Sequence, residues 1–122
     1  MSYTTTAKVR LMQVNFTVGN IPDDNITEFI TKAGKYINAL LGVTTDLSAT
    51  EITECNADEV ANLYCAVQCC DFAPSTLFAN NSEYAMQLDA FYARLAKAED
   101  KLVNIKGTAV APSTLFRPMS TS

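Results

Sequence analysis

The chain has 122 residues, 48% of them hydrophobic and 18% charged. That length suits one domain, and that composition argues against intrinsic disorder. Nine basic and thirteen acidic residues leave a net charge of −4 and a pI near 4.6, which argues against a protein that grips nucleic acid through its phosphates.

Only four Gly and four Pro occur, which favours long helices over a many-turned sheet. A chain of this size buries roughly two-thirds of its unfolded surface, enough for one modest core. The opening MSYTTTAK lacks the apolar stretch of a signal peptide. No apolar run reaches the ~18 residues of a membrane span. The expectation is a protein made and kept in a cytosol, with no membrane partner.

A first short helix is expected over about Ala7–Gln13, N-capped by Thr5 or Thr6, with Val9 and Met12 facing inward. The loop NFTVGNIP follows. A second helix begins near Asp23 or Asn25, where Asn25 and Glu28 have capping-box spacing. Its apolar residues Ile26, Phe29, Ile30, Ala33, Ile37, Leu40 and Leu41 fall on one helical face, and Gly42 stands at the position that ends a helix. Gly34, inside it, costs about 1 kcal/mol relative to Ala. It marks either a close approach of a neighbouring backbone, within the protomer or between protomers, or a tolerated surface glycine.

From Val43 to Cys55 the sequence reads as a loop with at most one helical turn, at Ser48–Ile52. Asn56 and Glu59 again have capping-box spacing and open a third helix to about Phe72. Val60, Leu63, Tyr64 and Val67 form one apolar stripe; Ala61, Cys65, Cys69 and Phe72 form another. A helix apolar on two sides is central or is caught between subunits. Pro74 ends it. The connector PSTLFANN leads to Ser82, a suitable N-cap, and a fourth helix from about Glu83 to Ile105. There Tyr84, Leu88, Phe91, Leu95, Ala98, Leu102 and Ile105 repeat at coiled-coil spacing, and Lys106-Gly107 closes the helix. The expected architecture is all-α, a small bundle of about four helices. Residues 1–107 form the helical domain and 108–122 an extended C-terminal tail.

The four cysteines are Cys55, Cys65, Cys69 and Cys70, with no Cys-x-x-Cys and no histidine in the chain. Free, buried thiols are a stronger reading than a structural metal. Absent histidine removes the commonest general base, and no Gly-x-Ser-x-Gly, P-loop or Rossmann glycine pattern occurs. The paired acids Asp23/Asp24 and Asp58/Glu59 sit at helix N-termini, where the macrodipole accounts for them. No enzyme and no cofactor is expected.

Two further features concern surfaces. No Lys or Arg occurs between Lys35 and Arg94, and no acid follows Asp100. This is either a solvated face, or a basic tail meant for an acidic neighbour. The hexapeptide APSTLF occurs at Ala73–Phe78 and again at Ala111–Phe116. Each copy joins a Pro-fixed backbone to a Leu-Phe pair, suited either to docking or to a convenient turn. The docking reading makes Pro112, Leu115, Phe116 and Arg117 candidate partner-binding residues.

Three patterns resemble the phage head–tail connector family, also called adaptor or head-completion proteins. The first is Tyr3-Thr4-Thr5 followed by Val9-Arg10-Leu11. The second is Asp23-Asp24-Asn25-Ile26 leading into Phe29-Ile30, Ala33, Tyr36-Ile37 and Leu41-Gly42. The third is the later pair of helices, the last rich in Tyr, Leu and Ala, followed by a polar tail. The likeness covers residues 3–105 in pattern and 3–42 in motif. It implies a virion neck protein without catalytic residues, made in the host cytoplasm. Roughly twelve copies would form a ring that joins the portal protein to a further neck or tail-completion protein. DNA would pass through its channel without specific binding. A soluble helical scaffold or regulator of one protein partner is the competing expectation.

Overall fold

The computed structural model describes residues 3–106. Among them it is all-α, with six helices: α1 (Thr6–Arg10), α2 (Asp23–Leu41), α3 (Ala49–Cys55), α4 (Ala57–Phe72), α5 (Pro74–Leu77) and α6 (Asn81–Lys106). The four helices expected from sequence are α1, α2, α4 and α6. The segment 108–122 and the expected stop at Gly107 lie outside the described residues.

Thr5 caps α1, its hydroxyl accepting from the Lys8 N–H at 3.3 Å. The helix stops at Arg10 rather than Gln13, with the Leu11 N–H donating to the Lys8 carbonyl at 3.2 Å, and the Arg10 side chain organises the loop that follows. Its guanidinium donates to the carbonyls of Phe16 (3.2 Å) and Ile21 (3.0 Å) and to Asp23 (2.5 Å). Phe16 and Ile21 are buried, so the loop is a packed part of the core.

The Asn25–Glu28 capping box does not form. Pro22, extended at ψ 151°, is the N-cap, so α2 begins two residues before Asn25. Asp23 and Asp24 then lie in the first turn, where the macrodipole favours acids. Gly42 closes the helix in the left-handed region (φ 66°, ψ 31°).

The Thr-rich segment holds more helix than one turn. Ser48 and Glu51 make a complete capping box that starts α3, which runs to Cys55. Asn56 then adopts φ 57°, ψ 43°, ending α3 and preceding α4. In that conformation its side chain caps nothing, so the Asn56–Glu59 box is also absent. Asn tolerates this region better than other residues with a Cβ.

α4 is the central element. Ala57, Val60, Ala61, Leu63, Cys65, Ala66, Val67, Cys69 and Cys70 are all buried, beneath α2 on one side and α6 on the other. Pro74 occupies the first turn of α5, a helical turn inside the expected connector. Asn80, not Ser82, caps α6 by accepting from the Glu83 N–H at 2.8 Å. The α6 stripe faces the core through Phe91, Leu95 and Leu102, with Tyr84, Leu88 and Ala98 packed beside them and Ile105 exposed.

The N-terminal segment is bound into this bundle. The Tyr3 hydroxyl accepts from the Leu47 N–H at 2.8 Å and donates to Asn38 Oδ1 at 2.5 Å. Thr4 is buried and hydrogen-bonds Asn62.

Candidate interaction surface

Among the described residues, no buried side-chain polar atom lacks a partner, and no group of three or more His, Cys, Asp or Glu residues could hold a metal. All four cysteines are free and buried. Burial pushes the thiols of Cys65, Cys69 and Cys70 up to about 12, so they stay protonated and unreactive near neutral pH. No helix is long and apolar enough to cross a membrane among these residues.

Most of both apolar stripes of α4 and of the coiled-coil stripe of α6 is covered within the chain, while Phe72 at the end of α4 and Ile105 at the end of α6 stay exposed. The burial that sequence reasoning left open to neighbouring protomers is thus met largely, though not wholly, inside the chain. Charge is also partly met inside the chain. Lys106 Nζ lies 2.9 Å from Glu51 and 3.9 Å from Glu54, and Arg94 lies 3.7 Å from Glu59. The cations of α6 thus fold back onto the acidic stretch of α3 and α4. Between α4 and α6 an open cleft carries both signs, with Asp58 and Glu59 facing Arg94, Lys97 and Lys101.

What the fold leaves uncovered is apolar and lies mainly in the α1–α2 loop and the first turns of α6. Leu11 is 84% exposed, Val14 86% and Met86 73%. The loop is held against the α5–α6 region on both sides of Val14. Gln13 Nε2 contacts Gln87 Oε1 at 3.4 Å, and Asn15 Nδ2 donates to the Leu77 carbonyl at 2.8 Å. A shallow groove here is lined by Gln13, Phe78, Glu83, Met86, Gln87 and Ala90. Sequence reasoning did not single out Val14 or Met86. The signal was present for Met86, a large apolar residue off the Tyr84–Leu88 stripe of α6.

The first APSTLF copy belongs to the core. Leu77 and Phe78 are buried, and the Phe78 ring lies 5.7 Å from Tyr84 on α6. The second copy, with Pro112, Leu115, Phe116 and Arg117, lies outside the described residues. At Gly34 the close helix contact expected from sequence is, within the chain, a contact with a side chain. A Cβ placed there meets the Tyr3 ring at 3.8 and 4.0 Å, ordinary spacing, and no backbone beyond its own helix comes within 4 Å.

Tyr3, Thr4, Arg10 and Asp23, which carry much of the family resemblance, all serve the fold through the contacts described above. No protein-family model, no curated protein and no solved structure matches the chain.

Proposed function

We propose that this chain is a structural component of a virus neck, assembling as a ring on a portal protein and continuing the DNA channel toward a further neck or tail-completion protein. What supports this is the order of motifs over residues 3–42, together with a fold whose leftover features are contact surfaces. The observation that carries it is the exposed apolar set Leu11, Val14 and Met86 on a bundle whose core is already closed. Large apolar side chains left this exposed on a small protein are candidates for a protein-binding surface. The exposed acids Asp46, Asp71 and Asp89 suit a wall that DNA slides past, because phosphates are repelled.

The test is reconstitution. The purified chain should be a monomer or a mixed species alone and a closed ring with a portal protein, by native mass spectrometry and particle imaging. Only unbound monomer in the presence of the portal would sink the proposal.

One observation favours the second reading, a soluble helical scaffold or regulator of a single partner. The α4 and α6 stripes are buried within one chain except at Phe72 and Ile105, so a protomer closes most of its core without a neighbour. A stable one-to-one complex with a protein other than a portal would support it.

A further inference from the structure

We propose that the second APSTLF segment, Ala111–Phe116 with Arg117, docks into the groove formed by Phe78, Glu83, Met86 and Ala90 on a second copy of this chain. The proposal deepens the ring reading and rests on it, because a head-to-tail contact of this kind closes rings when its rotation allows.

Four observations point to this occupant. The first copy of the same hexapeptide already packs its Leu77 and Phe78 beneath the first turns of α6, and Phe78 forms a wall of the groove. A second Leu-Phe pair would extend that apolar cluster alongside the first. The groove also matches the segment in chemistry. Met86 and Ala90, one helical turn apart, offer an apolar strip, and Gln13 and Gln87 offer amides to the Ser and Thr. Charge is complementary: the groove's one charged lining residue is Glu83, and Arg117 follows directly after Phe116.

Reach favours a second copy over the chain's own tail. Met86 and Lys106 are twenty residues apart on α6, about 30 Å at helical rise. Leu115 is nine residues beyond Lys106, about 31 Å when fully extended. To seat Leu115 beside Met86, the chain's own tail would have to reverse at the helix end and run back fully extended, with slack only toward Ala90. A neighbour's tail meets no such limit.

The test uses the full chain in two variants. Met86→Glu spoils the groove at an exposed position, and the double variant Leu115→Ser/Phe116→Ser spoils the tail. Circular dichroism should report unchanged helicity in both. Sedimentation of the wild type should show self-association, weakened at least tenfold in each variant. Mixing the two variants should restore one contact only, that between the intact tail of one and the intact groove of the other. The mixture should therefore form a one-to-one dimer and stop there. A wild type that stays monomeric up to about 1 mM, a tail variant that associates like wild type, or a mixture that remains monomeric would each overturn the proposal. Ring formation on a portal by the tail variant would overturn the tail contact and leave the neck reading standing.

Discussion

Replacing Gly34 with Ala should stabilise the protomer. Gly34 lies in the interior of α2, a helix of 19 residues, and its φ is not among the positive ones. An Ala there gains about 1 kcal/mol from helix propensity, since it restricts the unfolded chain more than Gly does. The added methyl meets Tyr3 Cδ2 at 3.8 Å and Cε2 at 4.0 Å. Two such contacts add at most a few tenths of a kcal/mol. The expected gain is about 1 kcal/mol, a rise in Tm of roughly 4 °C for a domain of this size. Urea unfolding followed by circular dichroism measures it as a higher midpoint at unchanged slope. Gly34→Val reverses the sign, because its branched methyls would push the Tyr3 ring away from Asn38 and Leu47. An Ala variant less stable than wild type would refute the reasoning, since it would mean that Tyr3 cannot accept a methyl at that spacing. An Ala variant that is more stable yet fails to assemble on a portal would place a protomer contact at Gly34.

Tyr3→Phe leaves the Leu47 N–H without its acceptor in a buried setting, and should cost about 2 kcal/mol in chemical denaturation; a loss under about 0.5 kcal/mol would show that the contact is replaceable. In acid, Glu51 reports on the α3–α6 junction. The Ser48 backbone N–H and Lys106 hold its carboxyl down to about 2, from 4.5. A depressed carboxylate stabilises the fold above its unfolded value, so this contribution is present above about 4.5 and is lost as the pH falls toward about 2. The urea midpoint of Glu51→Gln should therefore vary less than that of wild type across this window, and parallel profiles would contradict it. Thiol labelling of the native protein at neutral pH should be negligible at Cys65, Cys69 and Cys70, and complete in denaturant; rapid native labelling would contradict their burial.

The long amphipathic elements were legible because their burial follows helical periodicity. Ile26 through Leu41 on α2 and Tyr84 through Leu102 on α6 pack where their spacing puts them. Helix starts were less legible, because several residues near each one can cap. At α2 the choice fell to Pro22 over Asn25, and at α6 to Asn80 over Ser82. Asn56 illustrates the limit: its spacing to Glu59 suits a capping box, but its left-handed backbone turns the side chain to no such use. The capping box of α3 was hidden by a different prior, since a Thr- and Glu-rich run without an apolar period reads as loop. The interaction surface was the least legible part. Exposure of Val14 and Met86 depends on which tertiary neighbours arrive, and periodicity within one element does not carry that.

The pairing of Lys106 with Glu51 and Glu54 has a mechanical consequence. It ties the last described residue of α6 to α3, one turn beyond Leu102 in the core. Tension applied through the residues that follow enters the bundle at this clasp. The clasp is a partly exposed ion pair, of a kind that contributes little to stability, so it steadies the last turn of α6 against fraying without locking it in place.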